Sequence, residues 1–239
     1  MSGHSKWSKV KHQKATTDVV KGQAFTKASR LITLAVREGG SISDPNLNFR
    51  LRLAIDKARA VNMPKDNIER AIERGIGTEG TGLEYVILEG YGPGGVALYI
   101  EGATDNHQRI VGLVKHVFDR GGGSMASPGS VAFLFKRAGV ITVPKHTVAY
   151  DTLLNAALEA GAQDIVEMDD VFEIYTEPQT LDSVSKHLNH QGIASDNTEL
   201  IMKPTITVPV DEGTAKHINE IVGELEGFDD VQRVYTNAA

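Results

Sequence analysis

The feature that most restricts the fold is a change of hydrophobic period at residues 76–82, Ile-Gly-Thr-Glu-Gly-Thr-Gly. Before this Gly/Thr linker the apolar residues recur at helical spacing; after it they gather in runs of strand length. A first helix is predicted from Thr17 to Arg37, with Phe25, Ala28, Ile32, Ala35 and Val36 inward, and stops at Gly39-Gly40. Asp44-Pro45 opens a second, which puts Leu47, Leu51, Ala54, Ile55, Ala58 and Val61 on one face. Pro64 starts a third, with Ile68, Ala71 and Ile72 inward and Gly75 as its stop. The three predict a small bundle with Arg50, Arg52, Arg59, Arg70 and Arg74 on its outside.

After the linker, strands are predicted at 84–90 and 95–101, a helix at 105–119 and a strand at 130–136. Then come a strand at 139–143, a helix at 147–160, strands at 163–168 and 171–176, a helix at 179–190 and a strand at 197–202. This last run reads βαββαβ, the order of a ferredoxin-like unit. The tail adds a strand-like 205–210, a helix at 211–226 and a strand at 231–235, too little to bury a core alone. The earlier ββαβ set is also incomplete, and the two complement each other. The expectation is therefore an α+β protein of three domains: a basic arm with a helical bundle (1–77), a discontinuous α+β domain (78–137 and 205–239) and an inserted ferredoxin-like domain (138–204). Both α+β domains are expected to be ferredoxin-like.

Charge is as uneven as period. The chain of 239 residues carries a net charge of −6, which taken whole argues against a nucleic-acid binder. Residues 1–75, however, hold 15 Lys/Arg against 7 Asp/Glu, and the remaining residues 10 against 24. Residues 3–14 interleave Lys6, Lys9, Lys11 and Lys14 with His4, His12 and the sole tryptophan, Trp7, with almost no aliphatic residue. Such a segment buries no core and orders on a partner. Lysines on phosphates beside an indole on a base give it a use that a solubility tail lacks. Lys6, Trp7, Lys9, Lys11, His12, Lys14, Lys21, Lys27 and Arg30 are the candidate nucleic-acid contacts.

Two glycine motifs need separate readings. Gly90-Tyr91-Gly92-Pro93-Gly94-Gly95 matches a dinucleotide fingerprint on paper, but a strand rather than a helix follows it, so a hairpin is predicted. The run from Gly121 to Ser130 is longer than a tight connection needs. Its chemistry is close backbone approach: Gly121, Gly122, Gly123 and Gly129, with the hydroxyls of Ser124, Ser127 and Ser130, are candidate contacts to phosphate or ribose. His187 and His190 lie three apart on a predicted helix without a third ligand at a recognised spacing, and Asp169-Asp170 reads as a turn. The absence of cysteine removes thiolate metal sites and cysteine nucleophiles. No catalytic constellation, metal site or cofactor is predicted, and neither a small-molecule substrate nor a membrane is expected as partner. With no hydrophobic signal core at the start, a cytoplasmic location is the expectation. An enzyme or small-molecule sensor built on the inserted domain stays open as an alternative, since folds do not fix function.

Gly3-His4-Ser5-Lys6-Trp7, Lys11-His12, Lys14, Phe25-Thr26-Lys27, the Gly90–Gly95 hexapeptide and Gly129-Ser130-Val131 together resemble the YebC/PmpR family over essentially the whole chain. The resemblance implies an N-terminal helical domain and two α+β domains, one inserted in the other, with no catalytic activity or metal. It implies a DNA-binding transcriptional regulator acting on promoter DNA or, alternatively, a ribosome-associated translation factor that relieves stalling at proline runs, with the loop 121–130 near ribosomal RNA. A mitochondrial relative is a translational activator. Gln13, the Val20 and Gln23 flanking Lys21, and His107-Gln108 depart from the family pattern, and the first three lower the arm's charge.

Overall fold

The computed structural model describes residues 18–77 and 82–239. The described residues form an α+β structure in two compact units, one of 18–134 with 206–239 and one of 135–205.

The first unit begins with α1 (Asp18–Glu38), α2 (Phe49–Ala60) and α3 (Lys65–Ile76). Their apolar stripes meet in one core built on Ile32, Val36, Leu51, Ile55, Ile68 and Ala71. A Cβ on Gly75 would sit 2.6 Å from Cβ of Val36, so the missing side chain is what lets α3 lie close on α1. The second helix differs from expectation at its start. Residues Asp44–Leu47 form a turn, the amides of Leu47 and Asn48 donating to the Asp44 carbonyl, and Leu47 is exposed rather than inward. The cap is the buried Asn48, whose Oδ1 accepts from the Leu51 amide while its Nδ2 donates to the carbonyls of Ala35 and Ile42. One side chain thus caps α2 and ties it to the end of α1.

The unit continues with β1 (Glu84–Tyr91), β2 (Ala97–Thr104), α4 (His107–Arg120) and β3 (Ser124–Ala126), and is completed by α7 (Glu212–Leu225) and β8 (Val231–Thr236). The sheet is antiparallel in the order β3-β1-β2-β8. Its buried face, with Leu88, Leu98, Ile100 and Val234, packs on Ile110, Val114 and Phe118 of α4 and Ile218, Ile221 and Leu225 of α7. The Gly90–Gly95 motif is the β1–β2 hairpin, closed by Gly92 N–H to Val96 O at 2.8 Å, with Gly94 and Gly95 both at positive φ. That hairpin makes β1 and β2 central neighbours. The chain order therefore differs from a ferredoxin-like unit, although the layers of helix on antiparallel sheet are the same.

Residues 205–210, expected as a strand, contribute an isolated parallel bridge, Val208 to Ala238. Residues 130–134, also expected in a strand, turn instead into a 3-10 segment at Ala132–Leu134. Residues 135–137, placed by sequence in the earlier domain, begin a strand of the other unit.

That second unit holds β4 (Phe135–Pro144), α5 (Tyr150–Glu159), β5 (Asp164–Glu167), β6 (Val171–Thr176), α6 (Leu181–His190) and β7 (Asn197–Pro204). Its order, β5-β6-β4-β7, is the ferredoxin-like arrangement expected from the βαββαβ sequence. Leu153 and Ala157 of α5 and Leu181, Val184 and Leu188 of α6 are buried with Ile141, Val143 and Ile174 of the strands. Asp169-Asp170 is the β5–β6 turn. The first residue of β4, Phe135, is paired with the last of β7, Pro204. No helix among the described residues is long and apolar enough to cross a membrane.

Candidate nucleic-acid interface

Lys6, Trp7, Lys9, Lys11, His12 and Lys14 lie outside the described residues. Of the remaining cations, Lys21 stands exposed on α1. Lys27 and Arg30, read from sequence as phosphate contacts, have partners within the chain. The Lys27 ammonium donates to the Glu226 carbonyl at 2.5 Å, just beyond the end of α7, where carbonyls lack helical partners. Arg30 donates to Asp230 Oδ1 at 2.6 Å and to the Ala103 carbonyl at 3.2 Å. With Gln23, whose Nε2 reaches the Gly227 carbonyl, these side chains form a stripe along α1 that fastens it to the sheet-bearing part of the same unit.

Asp230 is the centre of that contact. A bulge in the β2–β8 pairing at Glu101/Gly102 brings the Asp230 carbonyl onto the Ala103 amide at 2.8 Å. The carboxylate, 5% exposed, receives Arg30 and also Arg109 of α4, whose Nε and Nη2 reach its two oxygens at 2.8 and 2.7 Å. Burial pushes the Asp230 carboxyl up, but the Arg109 hydrogen bonds and the two guanidinium charges outweigh it and hold it below the usual carboxylate range. Arg109 also bonds Asp105, which is lowered chiefly by that hydrogen bond. Two arginines and two carboxylates balance here, so Arg30 brings no net positive charge to a ligand.

The glycine loop is more ordered than its composition suggests. Ser124–Ala126 is an edge strand paired with Glu89–Tyr91 of β1. Gly121 and Gly123 donate their amides to Val117 and Phe118 carbonyls at the end of α4, the position of helix-stopping glycines. Gly122 and Gly129 are at positive φ. The Glu89 side chain, 4% exposed in mid-strand, lies under the far end of the loop. Its Oε1 accepts from the Gly129 amide at 2.6 Å, and its Oε2 from the amides of Val131 at 2.6 Å and Ala132 at 2.9 Å. Tyr91 adds a hydroxyl donated to the Ser130 carbonyl at 2.9 Å. A carboxylate of the chain itself thus takes the Gly129 amide, one of the candidate phosphate contacts, together with those of Val131 and Ala132.

What the loop presents outward is different. Ser124, Ser127 and Gly129 are exposed, Gly122 carries no side chain at a turn, and Phe133 is 71% exposed immediately after the loop. Sequence reading placed Phe133 inside a strand and so missed it. An exposed aromatic that follows a run of exposed hydroxyls and glycines in the chain suits base stacking with ribose contact.

Residues 5–78 match the model of the TACO1/YebC protein N-terminal domain, and residues 83–238 that of the TACO1/YebC second and third domain. A protein of Persephonella marina named probable transcriptional regulatory protein is 49% identical over 99% of this chain and 95% of its own length. One of the same name from Shewanella oneidensis is 47% identical over 100% and 96%. The crystal structure of a conserved hypothetical protein from Aquifex aeolicus superposes with a TM-score of 0.88 at 42% identity, covering 98% of this chain and 97% of that one.

Proposed function

The chain belongs to the TACO1/YebC family, and from that premise we propose that it is a non-enzymatic, DNA-binding transcriptional regulator of the cytoplasm, gripping nucleic acid through its basic N-terminal arm. The observation that carries the reading is the concentration of positive charge in the first 75 residues of an otherwise acidic chain. Lys6, Lys9, Lys11, Lys14 and Lys21 neutralise phosphates, and Trp7 and His12 add stacking and hydrogen bonds. Lys27 and Arg30 serve instead to seat the helix that carries the arm. The division into a helical part, a discontinuous α+β part and an inserted α+β part belongs to the same reading, with the helical part and its arm, 1–77, as the nucleic-acid module. No cofactor, metal or small-molecule substrate enters.

A second reading, binding to ribosomal RNA as a translation factor at proline runs, is favoured by the exposure of Phe133 directly after a loop with exposed Ser127 and Gly129. Stacking and ribose contacts of that kind suit single-stranded RNA more than a duplex groove. The Gly122 turn and the Ser124 and Ser130 hydroxyls then belong to the RNA surface. Sucrose-gradient fractionation with and without RNase, beside DNA shifts across a salt series, separates the two. Sequence-selective DNA binding that survives physiological salt, with no ribosome association, supports the promoter reading. RNase-sensitive co-migration with ribosomes, with DNA binding lost near physiological salt, supports the other. The joint change Lys6→Ala, Lys9→Ala, Lys11→Ala and Lys14→Ala should weaken either and flatten the salt dependence by about three to four units of slope. Unchanged binding would remove the arm from the mechanism.

A further inference from the structure

A cleft of about 630 Å³ opens beside α1 and α3, a size suited to a small ligand. Arg70 and Arg74, one turn apart on α3, lie in its wall. In this unit Arg30, Arg50, Arg59, Arg109 and Arg120 each meet a carboxylate. Arg70 and Arg74 do not, among the described residues. Arg70 donates Nη2 to Asn67 Oδ1 at 2.6 Å and Nε to the Asp66 carbonyl at 3.1 Å. Arg74 donates Nη2 to Ser29 Oγ at 2.7 Å and Nε to the Arg70 carbonyl at 3.3 Å. Neutral acceptors fix both guanidinium groups without cancelling their charge. The acid in the lining, Asp105, is held by Arg109, and the other lining cation, Arg30, by Asp230.

Two guanidinium groups lining one cleft, each bonded to neutral acceptors, suit a planar or tetrahedral oxyanion. The remaining wall is not that of a bare anion site. Phe25, half-buried, supplies an aromatic surface, Met63 an apolar one, and Thr26 a hydroxyl. We propose that this cleft seats a nucleoside phosphate, with the phosphate on Arg70 and Arg74 and the base against Phe25. None of its lining residues belongs to the glycine loop. Two sources supply the same chemistry, a free mononucleotide and one nucleotide of a single strand.

Calorimetric titration of the full chain with AMP and UMP, with their unphosphorylated nucleosides, and with a short single-stranded oligoadenylate tests it. A nucleotide should bind about tenfold or more tightly than its nucleoside, a comparison that needs no variant. Arg70→Gln with Arg74→Gln should weaken nucleotide binding by about tenfold or more, with the helical circular dichroism retained, while Arg59→Gln should leave it unchanged. Parallel weakening of oligoadenylate assigns the seat to a strand; loss confined to mononucleotides assigns it to the free ligand. Nucleotide and nucleoside binding equally, neither binding, or indifference to the double variant overturns the proposal. The four-lysine arm variant should keep its nucleotide binding, so a failed arm and a failed cleft give different patterns.

Discussion

Replacing Glu89 by Gln tests whether a buried carboxylate sets the shape of the glycine loop. Its two oxygens accept three amides, from Gly129, Val131 and Ala132, at 2.6 to 2.9 Å. Glutamine offers one carbonyl oxygen, which can keep Val131 and Ala132, but turns an NH2 group toward the Gly129 amide. One charge-assisted bond worth about 2 kcal/mol is then lost, and two others weaken by about 0.5 kcal/mol each. Relief from burying a charge offsets part of this, leaving about 2 kcal/mol of local destabilisation. Hydrogen exchange read amide by amide is the suitable assay, because a chain with two compact units need not unfold in one step. Gly129, Val131 and Ala132 should exchange about thirtyfold faster in Glu89→Gln, while Ile174 in the other unit stays unchanged. Exchange at the three amides within about threefold of wild type would mean that the loop holds its shape without the carboxylate.

Further outcomes follow from the packing. Asp230 has a folded pKa below its unfolded value, so it contributes stability above about pH 4 that is lost as pH falls through the folded value. Asp230→Asn should cost about 2 kcal/mol at neutral pH and make the melting temperature less sensitive to acid between about pH 5 and 3; a variant with the wild-type acid slope would deny Asp230 that role. Gly90→Ala and Gly112→Ala should move in opposite directions. A Cβ at 90 would meet Phe118 Cζ at 2.4 Å and the Ser124 carbonyl at 2.7 Å, costing about 2 kcal/mol, whereas in α4 a Cβ at 112 meets nothing within 4 Å and should add up to about 1 kcal/mol. Thermal denaturation reads both, and equal signs would refute the reasoning.

The elements that sequence exposed are those whose cause is local. Gly90–Gly95 lies between two apolar runs, and only a hairpin reconciles its glycines with them. The βαββαβ series follows from period and spacing alone. The misreadings fall where a distant residue decides. Val131-Ala132-Phe133-Leu134-Phe135 has strand composition, yet Glu89, some forty positions earlier, draws its first amides into a turn and leaves Phe133 outside. Lys27 and Arg30 look like the rest of the basic stripe until Glu226 and Asp230, roughly two hundred positions on, are brought beside them. Leu47 fits the helical stripe, but Asn48 caps the Leu51 amide while its Nδ2 reaches back to the carbonyls of Ile42 and of Ala35 in the preceding helix, and so sets the helix one turn later.

The pairing of Phe135 with Pro204 has a consequence for how the chain assembles. Helix α7 and strand β8 must find the β1–β2 hairpin across the whole length of 135–204. In an open chain that search closes a long loop. Once β4 and β7 have paired, the two ends of the intervening segment stand about 5 Å apart, and the search shortens to that of a brief turn. At about 0.6 kcal/mol for each halving of loop length, the difference is roughly 2 kcal/mol in entropy. The second unit thereby acts on the first as a splint, and a ribosome that delivers it first leaves the C-terminal helix only a short distance to travel.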